Sequence, residues 1–146
     1  RASFFRAVRG SMARLGCARI PLYFIHTPQH PLPLEYWVTW ACDAADEGLI
    51  EHIGISNFTA DQCKRAVECA RRRGRRIAVH QVMYSLLTFQ SPALQAMERV
   101  CKDNGIMLLA FSTLGQGLLT DGLTRESIKS IRAARITGLS FDQLHG

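Results

Sequence analysis

The chain has 146 residues, 47% of them hydrophobic and 21% charged, the balance of one folded domain with a core of its own and not of a disordered or fibrous chain. No run approaches the roughly 18 apolar residues of a bilayer span, so no membrane partner is expected. Much of the formal charge of +6 sits in one run, Arg71-Arg72-Arg73-Gly74-Arg75-Arg76, which closes a predicted helix. Cations there complement the helix dipole, and no aromatic residues interleave with them as in a nucleic-acid platform, so no nucleic-acid partner is expected.

The first residue is Arg and not Met, and the chain reads as a fragment or a processed product. From Phe4 to Leu15 the apolar residues Phe4, Phe5, Val8, Met12 and Leu15 recur at helical spacing until Gly16. Ile20 to Ile25 is a continuous apolar run, the pattern of a strand covered on both faces, and it ends at His26. Three prolines between Thr27 and Pro33 rule out a helix there, so His26 and His30 share no helix face and a metal site is disfavoured. Trp37, Trp40, Ala41 and Ala44 then mark a helix, with both indoles expected to turn toward the sheet and the helix to end near Gly48.

His52 to Ile55 reads as a short buried strand running into Ser56 and Asn57. Thr59 and Gln62 follow at the spacing of a capping box, and Cys63, Ala66, Val67 and Ala70 continue the helix. Polar residues at the carboxyl end of a parallel strand are where α/β proteins hold ligands, although Ser56 and Asn57 could equally only form the turn. A third strand from Ile77 to Tyr84 carries Gln81, an amide that needs a hydrogen-bond partner, either structural or a ligand. Ser91-Pro92 opens the next helix, whose stripe is Leu94, Met97, Val100 and Cys101. Ile106 to Ala110 is the fourth strand, and it leads into Phe111-Ser112-Thr113-Leu114-Gly115-Gln116-Gly117. That loop could bring backbone N–H groups to a phosphate but matches no phosphate-binding fingerprint. Thr124 to about Ile136 is expected to be helical, with an incomplete tail behind it.

The five cysteines, at 17, 42, 63, 69 and 101, include no Cys-x-x-Cys pair. They read as buried free thiols in the cytoplasm or another reducing compartment, with neither metal nor redox use. His26, Ser56, Gln81 and Phe111 stand 30, 25 and 30 residues apart, each at or near a strand end. A complete eight-unit barrel takes about 250 residues, so the fold expected is α/β, a partial (β/α)8 barrel of about four parallel βα units.

At this point the residues resemble a known family. Leu22-Tyr23-Phe24-Ile25-His26, Gly54-Ile55-Ser56-Asn57-Phe58, Gln81-Val82-Met83-Tyr84-Ser85 and Ala110-Phe111-Ser112-Thr113-Leu114-Gly115-Gln116-Gly117 are similar, in order and spacing, to the aldo-keto reductases. Those are NADP(H)-dependent carbonyl reductases built on the eight-stranded α/β barrel. The match is clearest over residues 11–123, and the present strands would be the fourth to the seventh, so 1–146 is a single partial barrel.

The resemblance implies hydride transfer from NADP(H) to a small carbonyl substrate, with His26 as the catalytic residue that orients the carbonyl oxygen. It implies that Ser56, Asn57 and Gln81 hold the nicotinamide carboxamide, that Phe111 stacks on the ring, and that Ser112, Thr113, Leu114 and Gly115 line the pyrophosphate. Phe111 and Thr113 stand where tyrosine and proline are commoner. The family's catalytic tyrosine, lysine and aspartate would precede residue 1, and Tyr23, Tyr36 and Tyr84 match other positions. The segment that grips the 2′-phosphate would follow residue 146. An open half-barrel needs the missing segments to close it, and as this fragment the chain is expected to be inactive. A cofactor-sensing or interaction module related to the potassium-channel beta subunits is the alternative reading, and a degenerate fragment the third. His26 and the Ser56-Asn57 pair favour the reductase.

Overall fold

A computed structural model describes residues 1–28, 31–122 and 124–126. Helices and strands alternate as α1 (Ala2–Leu15), β1 (Ile20–Ile25), α2 (Leu34–Asp46), β2 (Ile50–Ser56), α3 (Ala60–Arg72), β3 (Ile77–Met83), α4 (Pro92–Asp103) and β4 (Met107–Phe111), before a short 3-10 turn at Gly115–Gly117. The four strands form one sheet in the order β1-β2-β3-β4, every neighbouring pair parallel. This is the arrangement that the repeated strand-helix pattern predicts. The helix expected from Thr124 onward lies almost wholly outside the described residues.

Local chemistry accounts for the helix limits. Thr59 Oγ1 accepts the N–H of Gln62 while Gln62 Oε1 accepts the N–H of Thr59, a complete capping box on α3. Ser91 caps α4, with Pro92 in the first turn where its missing N–H costs nothing. The four helices are each followed by a glycine with φ between 62° and 73°, namely Gly16, Gly48, Gly74 and Gly105. Just past each of them an N–H bonds back into the last turn, as Cys17 does to the carbonyl of Met12 and Ile106 to that of Cys101.

Strand register sorts the side chains onto two faces, since paired residues of parallel strands point the same way. Ile25, Ile55, His80 and Leu108 form one row across the sheet, and Ile53 lies on the same face. That face is packed under the helices in one core with Val38, Cys42, Cys63, Ala66, Met97 and Val100. The opposite, inner face presents Phe24, Gly54, Ser56, Val79, Gln81, Met107, Leu109 and Phe111. Between Ile53 and Gly54 the register with β3 slips by one residue, Ile53 pairing with Ile77 but Gly54 with Val79. The slip decides which of His80 and Gln81 faces the helices.

Two expectations are corrected. Trp37 and Trp40 turn to α1 and not to the sheet: both pack on Phe4, and their indoles meet edge to face at 5.1 Å. The sheet-facing positions go to the smaller Val38, Ala41, Cys42 and Ala45, which are buried and let α2 approach closely. Leu15 does not bury with Phe4, Phe5 and Val8; at the far end of α1 it is 66% exposed. The arginine run does more than close α3. Arg73 bonds to Asp43 and Asp46 at 2.9 and 3.2 Å and Arg75 to Asp46 at 2.6 Å, tying the end of α3 to α2.

Candidate active site

The carboxyl ends of the four strands lie side by side and bring His26, Ser56, Asn57, Gln81 and Phe111 to one end of the sheet. At the usual strand spacing the row spans about 14 Å from β1 to β4. Asn57 ties three of these ends together. Its Nδ2 donates to the His26 carbonyl at 3.0 Å and to Ser56 Oγ at 3.1 Å, and its backbone N–H donates to the Gln81 carbonyl at 3.2 Å. To do so it adopts φ 60°, a left-handed conformation that asparagine tolerates better than most residues. With both amide hydrogens used within the protein, Asn57 is left with Oδ1 as an acceptor.

Gln81 pairs in register with Ser56 and therefore shares the inner face with it. It is half-buried, and its side-chain amide makes no hydrogen bond with the described residues, leaving a donor and an acceptor to offer. Ser56 is 2% exposed, its Oγ accepting from Asn57. His26, the first residue past the end of β1, is exposed.

Beyond Phe111 the chain turns sharply. Ser112 and Gln116 have φ 54° and 55°, and with Asn57 they are the non-glycine residues of positive φ among those described. Asn57 and Ser112 each follow the last residue of a strand, where backbone strain commonly accompanies a binding role. Gly115 has φ 59°, and a Cβ there would stand 2.8 Å from the Leu87 Cδ1, so a larger residue would have to push that side chain aside. The turn is held by the N–H of Gly115 on the Ser112 carbonyl at 2.8 Å and that of Gly117 on the Leu114 carbonyl at 3.1 Å. Thr113 and Leu114 project from it, both exposed.

None of the three tyrosines reaches this end of the inner face. Tyr23 packs edge to face on Phe4 of α1, and burial raises its pKa against the opposing charge of Arg14. Tyr36 is exposed on α2, and Tyr84 donates to Glu98 of α4 at 2.8 Å, a bond that raises its pKa. A residue that sequence reasoning passed over supports the site from behind. His80, fully buried on the helix side, accepts the Phe58 N–H on Nε2 at 3.3 Å and so holds the residue after Asn57 to β3. The signal for it was a second polar side chain next to Gln81 in an apolar strand.

Comparison with known proteins follows the same lines. The profile of the aldo/keto reductase family matches residues 1–135. The L-glyceraldehyde 3-phosphate reductase of Escherichia coli is 25% identical over 134 residues, covering 89% of this chain and 38% of its own length. The NADH-specific methylglyoxal reductase of Escherichia coli is 31% identical over 128 residues, covering 83% and 36%. A thermostable aldo-keto reductase crystallised with the inhibitor epalrestat superposes with a TM-score of 0.72 at 28% identity, over 96% of this chain and 48% of that one. The chain thus spans less than half the length of each of these proteins. Four parallel strands in one open sheet, covered by helices on one face and superposing on half of such a structure, are part of a (β/α)8 barrel, and the chain belongs to the aldo/keto reductase family.

Proposed function

We propose that the protein of which this chain is part reduces small carbonyl compounds with a nicotinamide dinucleotide, and that the inner-face end of this sheet holds the nicotinamide beside the substrate. The observation that carries the reading is that a Gln81 amide and an Asn57 Oδ1, neither hydrogen-bonded among the described residues, and an exposed His26 stand on neighbouring strand ends. A carboxamide both donates and accepts, and Gln81 and Asn57 together offer both in return, so they would fix its orientation. The bound dinucleotide would supply a hydride. Phe111, in register with Met83 on the inner face, would give the ring an aromatic surface, and the turn from Ser112 to Gly115 would carry the pyrophosphate. His26 would donate an N–H to the carbonyl oxygen and draw charge toward it as the hydride arrives.

A second part of the proposal concerns what these residues do alone. With Tyr23, Tyr36 and Tyr84 all directed elsewhere, no tyrosine of this chain would protonate the alkoxide, and loss of a general acid costs about 10²–10⁴ in rate. The chain by itself is therefore proposed to bind the dinucleotide weakly and to turn over no carbonyl substrate. NADP(H) is the form that the family resemblance implies, and NADH is the competing ligand. The test is a fluorescence titration of the purified protein with NADPH and with NADH, together with the absorbance of NADPH in the presence of a panel of aldehydes. Binding that weakens about tenfold in Gln81→Leu supports the site, and binding indifferent to Gln81 and Asn57 removes it. Turnover that disappears in His26→Ala would refute the proposed inactivity.

A further inference from the structure

The inner face leaves unused a group of side chains on the helix side of the sheet. Cys63 stands in the first turn of α3, Cys101 in the last turn of α4, and His80 on β3 between them. All three are closed to solvent, and their sulfur and ring nitrogen atoms lie within 4.8 Å of one another. The Phe58 N–H points at His80 Nε2, so that nitrogen carries a lone pair and the neutral ring has its proton on Nδ1, which faces Cys101 Sγ at 3.9 Å. A cation on Nδ1 would displace that proton to Nε2, where it would meet the Phe58 N–H donor to donor. The arrangement therefore favours sulfur chemistry over metal binding.

The two sulfurs are not equivalent. Cys101 Sγ has the Cys63 sulfur and the His80 Nδ1–H beside it, and hydrogen bonding from these neighbours outweighs burial and lowers its pKa. Cys63, the donor in the first of these bonds and itself buried, is pushed far up. A thiolate beside a thiol is the pairing in which one sulfur attacks and the other resolves.

We propose that Cys63 and Cys101 form a peroxide-sensitive pair that closes to a disulfide joining α3 to α4, with Cys101 attacking and Cys63 resolving. The Cys101 thiolate attacks hydrogen peroxide, forming an S–O bond as the O–O bond breaks; the hydroxide that leaves takes up a proton to become water. Cys63 sulfur then attacks the sulfenic sulfur, the S–O bond breaks, and the departing oxygen leaves as water with the Cys63 proton. One peroxide is reduced to two waters and two thiols are oxidised to one disulfide. Because the pair is closed to solvent, the oxidant enters through local opening of the helix layer and must be small. None of this depends on what the inner face binds.

The test is to treat the reduced, purified protein with hydrogen peroxide, quench it, unfold it, alkylate the remaining thiols and map the products by mass. The expected result is loss of two of the five thiols, two fewer alkyl groups than on the reduced control, and a reducible cross-link between the peptides of Cys63 and Cys101. Cys63→Ser should trap a sulfenic acid on Cys101 that dimedone labels. His80→Gln, which keeps an acceptor for the Phe58 N–H but lacks the Nδ1 proton, should oxidise about tenfold more slowly. The proposal is overturned if peroxide consumes the partly exposed Cys17 or Cys69 while Cys63 and Cys101 stay reduced. Two other results overturn it as well: Cys63 oxidising as fast in Cys101→Ser, or zinc found on the three residues and blocking oxidation.

Discussion

The two faces of the sheet are built from alternate residues of the same strands, yet they differ in kind. On the helix side Ile55 and His80 are fully buried, whereas on the inner side Met107 is 67% and Leu109 42% exposed. The chain's own helices finish one face, whereas the other is closed around Ser56 and Val79 and open along β4. Stability therefore resides on the helix side, and the candidate site lies on the other, a single residue away along each strand. In a complete eight-stranded barrel such inner side chains are packed among those of the other strands.

The largest effect expected from this contrast is at Ile55. Ile55→Ala should cost about 2–5 kcal/mol in urea denaturation, since it opens a cavity in the core beneath the helix layer, whereas Met107→Ala should cost less than about 1 kcal/mol because about two thirds of that residue stays in water. Equal losses would mean that the inner face is covered in solution, and the contrast would fail. A step smaller is His80→Leu, which leaves the buried Phe58 N–H without an acceptor and should cost about 1–3 kcal/mol. His80→Gln should recover most of that loss, and failure to do so would assign the cost to ring packing. The smallest effect belongs to the surface. Arg75→Ala removes bonds to Asp46 at 2.6 and 3.0 Å, worth about 0.2–1 kcal/mol and shrinking as salt is added. A loss above that range would mark the α2–α3 ion network as part of the fold's support.

Much of the architecture was readable in the sequence, because its signals are local. The Thr59 and Gln62 capping box, the Ser91-Pro92 start and the closing glycines act within a turn of helix, and each formed as its spacing implied. The strands fall where the apolar runs lie, their ends shifted by a residue or two. The indoles of Trp37 and Trp40 were misdirected because helical spacing names a face without naming what covers it, and α1 competes with the sheet for that face. His80 went unassigned because its partners, Phe58 and Cys101, are 22 and 21 residues away along the chain.

By itself the sequence determined the alternation of strands and helices, the parallel order of the sheet and the residues that stand at its carboxyl end, since period, caps and apolar runs leave few alternatives for four short units. Strand period by itself did not determine which of two adjacent polar residues, His80 or Gln81, would face the candidate site; only the family resemblance pointed to Gln81. Carrying the pairing of Ile53 with Ile77 onward without interruption would set His80 opposite Ser56 on the inner face and turn Gln81 to the helices. The one-residue slip after Ile53 reverses them, pairing Ser56 with Gln81 and sending His80 back to Cys63 and Cys101. A bulge is set by how two strands and their covering helices pack together, and because side chains alternate with a period of two, a slip of one residue exchanges the faces.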